Sequence, residues 1–429
     1  MRVFVLNMRG KPLMPCSAAK ARILLKEKKA AVARRTPFTI RLTIAGGEAK
    51  QPVSLGVDAG YKHVGLSAST EKAELYASEI ELRQDITDLL SARHALRRAR
   101  RSRKTRYRAP RFDNRVRSKR KGWLAPSVEN RIAAHISRIE AVLRILPVTK
   151  IIVETASFDT QLLKNPDISG KGYQQGEQLG FWNVREYVLF RDGHVCRHCR
   201  GGSKDSVLNV HHLESRRTGG DSPSNLITLC ETCHKALHRG EIKLSIKRGV
   251  SFRAEAFMGI MRWKVLDRLK AAHPELEVRN TYGYLTKHAR IEHGIAKSHC
   301  ADAFCIAGNL KAERLGNYYY QKQTRRHNRQ IHKLSILKGG VRKRNQAPYE
   351  VKGFRLFDKV VCKGETAFIF GRRSTGSFDV RKLDGRRISA GISFKKLRLL
   401  ERRRTYLTEI RKEAALPPLP EGRGLRADF

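Results

Sequence analysis

Residues 196–238 read CRHCRGGSKDSVLNVHHLESRRTGGDSPSNLITLCETCHKALH, and the fold of this stretch decides how the rest of the chain is divided. Cys196, Cys199, Cys230 and Cys233 form two C-x-x-C pairs, the spacing of a tetrahedral thiolate zinc site. Four thiolates close the coordination sphere, so zinc there is expected to be structural. The 30 residues between the pairs leave room for an inserted hairpin. LNVHHL reads as a strand, GGDSPSN as a turn, and NLITLCETCHKALH as an entry into a helix, a ββα arrangement. Neighbours in a strand point to opposite faces, so His211 and His212 should have different roles. His211 with His234 could hold a catalytic ion, while His212 takes a proton from water and Asn225 holds its ring. That pairing of a base with a cation suits phosphodiester hydrolysis. His238, beyond the second pair, reads as structural.

Composition points to the same chemistry. The 429 residues carry 88 Lys+Arg against 40 Asp+Glu, a formal net charge of +48. Such an excess repels itself unless a polyanion is near, and nucleic acid is the natural partner. Apolar residues make up 40% of the chain, enough for several cored domains. No apolar run approaches the 18 or so residues of a membrane span, and the N-terminal apolar run is short for a signal peptide, so no membrane partner is expected. Paired C-x-x-C spacings in a non-secreted chain indicate metal rather than disulfides, hence a reducing, cytoplasmic compartment.

Outside the cysteine/histidine module, residues 1–52 read as a small α+β unit in which the helix AAKARILLKEKKAAV follows Pro12-Leu13-Met14-Pro15. VSLGVDAGYKHVGLSAS (53–69) reads as two strands joined at Asp58-Ala59-Gly60. Residues 83–122 hold 16 Lys/Arg and 3 Asp/Glu, and their first half lacks Gly and Pro. Like charges at i,i+4 oppose a helix, so a helix this basic implies phosphates around it. Arg93, Arg97, Arg98, Arg100, Arg101, Arg103, Lys104 and Arg106 are its candidate contacts. SVENRIAAHISRIEAVLRIL reads as an amphipathic helix, TKIIVETASFD as a buried strand ending in Glu154, and IEHGIAKSHCADAFCIAGNL as a helix bearing His299 and Asp302. Beyond about residue 320 the chain turns strand-rich and basic, with a basic helical tail.

Two resemblances rest on these residues. His211-His212, Asn225 and His234, flanked by C-x-x-C pairs, resemble the HNH (ββα-metal) nuclease module, which implies that His211 is a metal ligand and His212 the general base. Asp58, Glu154 and His299-x-x-Asp302 resemble the RuvC/RNase H-like arrangement, in which carboxylates hold two magnesium or manganese ions for in-line hydrolysis and a histidine orients or deprotonates water. Together with the PLMP segment and the arginine-rich stretch, the order of parts resembles the IscB family of transposon-associated, RNA-guided DNA endonucleases. The resemblance implies a multidomain α+β and α/β fold. Its parts would be a PLMP-type domain (1–52), RuvC segments at 53–82, 123–168 and 246–319, an arginine-rich bridge helix (83–122), an HNH domain with zinc knuckles (169–245), and a small β-barrel-like C-terminal domain (320–429). It also implies magnesium or manganese at both catalytic sites, a structured guide RNA, a double-stranded DNA target with a short flanking motif, a monomeric ribonucleoprotein and a bacterial cytoplasm. The HNH site would cut the guide-paired strand and the RuvC site the displaced one. A protein-guided endonuclease and an RNA-binding particle protein with dead nuclease sites remain the alternatives at this point.

Overall fold

The computed structural model describes residues 2–86, 88–89, 95, 98, 124, 126–155, 183–214, 221–247, 249, 253–325, 333–334, 342–343 and 348–413. The chain divides into two compact units, Met1–Ala156 with Gly259–Phe429, and Ser157–Met258. Among the described residues no helix is long and apolar enough to cross a membrane.

The first unit begins with a four-stranded sheet of β1 (Val3–Leu6), β2 (Pro12–Cys16), β3 (Ala30–Arg34) and β4 (Thr39–Leu42), in the order β2-β1-β4-β3, packed on α1 (Ala18–Lys26). The PLMP prolines stand in an edge strand, where a missing ladder donor costs least. Ser17 caps α1, its Oγ accepting from the Lys20 amide. The expected helix stops earlier than the sequence suggested, and its AAV end is strand β3. Ala30 there is buried on the core of this sheet.

Next comes a seven-stranded mixed sheet: β5 (Ser54–Ala59), β6 (His63–Ser69), β7 (Glu74–Glu81), β8 (Lys150–Thr155), β11 (Glu277–Tyr282), β12 (Asn317–Gln323) and β18 (Tyr406–Lys412). Its order is β11-β8-β5-β6-β7-β12-β18. β5, β6 and β7 form an antiparallel meander, while β8 runs parallel to β5 and β11 parallel to β8. Central β5 reads LGVDA and is buried almost throughout, as a strand covered on both faces must be. Three helices of this unit matter below: α2 (Pro126–Leu143), α6 (Gly283–Glu292) and α7 (His299–Ala307). Helix α5 (Arg253–Ala272) buries Met261, Val265, Leu266 and Leu269, a spacing that keeps them on one face.

Two expectations are corrected here. The long helix read over 291–310 is two helices, broken at Gly294 with its positive φ, and α7 starts afresh from its cap Ser298. The described part of the basic tail is not helical: YLTEIRK is β18, paired in full register with the aromatic edge strand β12. Alternation and a β-branched, aromatic content outweigh its charge once that edge is present. Residues 320–323 and 406–412 both lie in the seven-stranded sheet, so the described part of the expected C-terminal domain is joined to it. Between them β13 (Lys359–Cys362), β14 (Glu365–Arg372), β15 (Ser377–Arg381), β16 (Arg387–Ser393) and β17 (Arg398–Glu401) form an open antiparallel sheet in the order β16-β15-β14-β13-β17. Its core includes Val360, Cys362, Ile369, Phe378 and Val380.

Residues 86, 88, 89, 95 and 98 are helical, and Arg98 is exposed. The other expected nucleic-acid contacts, Arg93, Arg97, Arg100, Arg101, Arg103, Lys104 and Arg106, lie outside the described residues, as does Asp159.

His135, on α2, is fully buried, with Nδ1 2.8 Å from the Arg131 carbonyl and Nε2 without a hydrogen-bond partner. Burial pulls it down to about 4. A buried histidine that stays neutral while the unfolded chain protonates near 6.5 makes the unfolded state bind more protons below that pH. Stability should therefore fall by about 3 kcal/mol as pH drops from 6.5 to 4. His135→Leu should flatten that part of the pH–stability curve of the full chain; an unchanged slope would remove His135 as its cause.

The second unit is α3 (Val184–Arg191), β9 (Leu208–His212), β10 (Leu226–Cys230) and α4 (Glu231–Arg239), with β9 and β10 antiparallel. This is the ββα order expected. Asn183 caps α3, and Gly240, in the left-handed region, ends α4.

Candidate active sites

In the second unit the sulfurs of Cys196, Cys199, Cys230 and Cys233 all lie within 4.8 Å of one another, and all four are free thiols. Cys196, Cys230 and Cys233 are buried. Hydrogen bonds from Ser203, its hydroxyl first, draw Cys199 down to about 5. Four converging sulfurs, without a disulfide between them, fit zinc. Cys196, Cys230 and Cys233 pack with Ile227 and Leu229 in one buried core cluster of this unit. One zinc per chain is expected by elemental analysis, and Cys233→Ser should lose it together with the cooperative melting of this unit. A zinc-free, fully folded protein would contradict the assignment.

His211 and His212 stand on β9 opposite Ile227 and Leu226. His211 meets the α4 histidines, its ring centroid 5.2 Å from that of His234 and 5.3 Å from that of His238. The Nε2 atoms of His234 and His238 are 3.2 Å apart, and the three histidines offer nitrogens within 4.8 Å of one another. His238 is thus a third donor rather than a bystander. Its signal was in the sequence, since H-x-x-x-H on a helix puts both rings on one face. Burial and the neighbouring imidazoles lower His211 and His234, keeping them neutral and ready to bind an ion. An all-imidazole set favours a borderline transition ion over the expected magnesium.

His212 goes its own way, with Nε2 2.9 Å from Asp221 Oδ1. Asn225 does not reach its ring in the manner expected. It is fully buried, donates from Nδ2 to the Glu214 carbonyl at 3.0 Å and accepts the Glu214 amide at 2.8 Å. It therefore pins the main chain two residues beyond His212, because a buried amide must satisfy both of its ends.

The carboxylates expected to act together come from three elements of the first unit. Asp58 on β5, Gly65 on β6 and Glu79 on β7 form one cross-strand row. Helix α7 lies directly on that row. A Cβ at Gly65 would stand 1.9 Å from the His299 carbonyl oxygen, and one at Gly56 2.0 Å from that of Ala303. These two glycines let α7 bring His299 and Asp302 down onto Asp58. His299 Nδ1 is 2.6 Å from Asp58 Oδ2. That hydrogen bond, ahead of the opposing effect of burial, raises His299. Asp302 pairs with Arg290 at 3.2 Å, and Glu154 on β8 pairs with Arg262 at 3.1 Å. Glu154 is raised by burial and then by Asp58 and Asp302, and Asp302 by burial and then by Asp58. Carboxylates that raise one another carry excess negative charge, which a hard dication would neutralise, so the set fits magnesium or manganese. His63 and Glu79 also offer donors within 4.8 Å of His299. No local motif points to them, because only sheet register brings them there.

Two family models match the chain. Residues 3–176 match the RRXRR protein family and residues 196–240 the HNH endonuclease family. The chain thus joins an N-terminal segment of the RRXRR family to an HNH endonuclease domain, which makes it a nuclease. Among curated proteins, anaredoxin of Nostoc sp. (strain PCC 7120) is 42% identical over 45 residues, 10% of this chain and 59% of that protein. Among solved structures, Streptococcus thermophilus Cas9 in complex with the AGAA PAM is 14% identical with a TM-score of 0.32, over 49% of this chain and 30% of that one. The same protein with the GGAA PAM gives 15%, 0.31 and the same two coverages. The chain thus spans less than a third of those Cas9 chains.

Proposed function

We propose that the protein is an RNA-guided endonuclease that cuts both strands of DNA, one at each candidate site. The observation that carries this reading is two clusters of side chains suited to hydrolysis in one chain: imidazoles beside His212, and carboxylates beside His299. One set suffices for a nick; two suit a double-strand break.

In the HNH domain, Asp221 accepts from the Nε2–H of His212, which leaves the Nδ1 lone pair to take the proton of the attacking water. Asn225 keeps that segment of chain in place. A divalent ion held by His211, His234 and His238 would supply charge at the scissile phosphate. In the first unit, the β7-β6-β5-β8-β11 order with its antiparallel start and parallel finish agrees with an RNase H-like RuvC fold split by the second unit. There Asp58, Glu154 and Asp302 would hold the ions, and His299 would orient the water.

The guide-paired strand falls to the HNH domain and the displaced strand to the carboxylate site. The +48 charge supports a structured guide RNA as resident partner, and the segment after β12 would read a short motif flanking the DNA target. The protein would act as a monomeric ribonucleoprotein in bacterial cytoplasm.

The test is cleavage of a supercoiled plasmid carrying a sequence complementary to the bound RNA. Linear product only with matching RNA and a divalent ion supports the reading. Cutting that ignores the RNA would favour a protein-guided enzyme.

A further inference from the structure

We infer that the first unit carries a phosphate-binding pocket for a resident RNA strand, on the face of the seven-stranded sheet opposite the carboxylate set. This rests on the RNA-guided reading and deepens it by assigning residues.

The cavity measures about 690 Å³. Arg34 at the end of β3, Arg138 on α2, Arg144 just beyond α2, Lys359 on β13 and Arg402–Arg404 between β17 and β18 line it, and Glu401 is the one carboxylate of the lining. Its face follows from register. Ile80 pairs with Gln321, one residue along from Glu79 and Tyr320. Side chains alternate across a strand, so Gln321, which lines the pocket, points away from the Asp58–Gly65–Glu79 row.

The cations there are only partly compensated. Arg402 pairs with Asp358 at 3.1 Å, and Arg138 lies 3.6 Å over the Tyr406 ring while donating to Gln321 Oε1 at 3.3 Å. Arg34, Arg144 and Arg404 have no carboxylate partner among the described residues. Burial lowers Arg34, and repulsion from Arg144 and Arg404 lowers it further, so the three guanidiniums share one field. Like charges gathered from three elements of the fold are unfavourable until an anion joins them.

A cavity this large, with cations spread around it, fits successive phosphates better than one free anion. The side-chain amide of Asn130 lines the same pocket and can bond a ribose 2′-hydroxyl. A strand held on this face is not the one offered to the carboxylates, which favours a retained RNA over the DNA being cut.

The test compares the full chain with the triple variant Arg34→Ala/Arg144→Ala/Arg404→Ala. Binding of a fluorescein-labelled 20-nucleotide RNA and a 20-base-pair DNA duplex is measured across a salt series. At about 0.7 per phosphate contact, the RNA salt slope should fall by about 2, and affinity near 0.15 M salt by about 50-fold. The matching triple lysine variant should keep the slope, and the RNA-free alanine variant should melt no lower than the parent. An unchanged RNA slope overturns the pocket. Loss confined to duplex DNA, or displacement of RNA by millimolar inorganic phosphate at matched ionic strength, overturns RNA as its occupant. If the pocket variant loses RNA while the parent never cuts an RNA-matched plasmid, the pocket stands and the guided-nuclease reading falls.

Discussion

His212→Ala should slow cleavage of the guide-paired strand by about a thousandfold, the middle of the range for loss of a general base, while RNA and DNA binding hold. The expectation follows from the division of labour on β9. His211 faces the α4 histidines, and His212 faces Asp221. Removing His212 would take away the proposed proton acceptor without touching the cluster of His211, His234 and His238. Asp221→Asn should do less, because it disturbs the tautomer of His212 rather than deleting the base. Strand-resolved cleavage with each strand separately labelled gives the answer. A His212→Ala protein that cuts the guide-paired strand at the parental rate would take the base elsewhere.

Asp58→Ala should convert the enzyme into a nickase that leaves the displaced strand whole, with a loss of about a thousandfold or more on that strand alone. Asp58 sits where the largest number of the site's interactions meet. It bonds His299, and its charge raises both Glu154 and Asp302. On the proposed reading its loss would remove an ion ligand and free His299 at the same time. The second unit contains none of these residues, so cutting of the guide-paired strand should persist. Retained double-strand cleavage by Asp58→Ala would remove the carboxylate set from the mechanism.

How much of this was legible in the chain differs from residue to residue, for physical reasons. Cysteine spacing is local, so the four thiols that converge could be read directly from two C-x-x-C pairs. The alternation of a strand separated His211 from His212 equally well. Asn225 was misread in its contact: a buried amide satisfies the nearest main chain, and which main chain that is depends on the loop after β9. His238 reads as structural from its place beyond the second pair, although its i,i+4 spacing from His234 puts both rings on one face. Strand β18 was hidden because its pairing partner, β12, lies some ninety residues earlier. His63 and Glu79 were invisible for the same reason, since register between strands is not written in either strand alone. The glycines at 56 and 65 look like ordinary weak points of a strand, and only the descent of α7 onto them shows their use.

The central claim is guidance by RNA, and one measurement bears on it most directly: purify the protein from cells carrying its own flanking DNA, and sequence the RNA that accompanies it. A single structured RNA encoded beside the gene and ending in a variable segment is the predicted result. A heterogeneous mixture of cellular RNA would contradict it, and would reduce the +48 charge to general adhesion to nucleic acid.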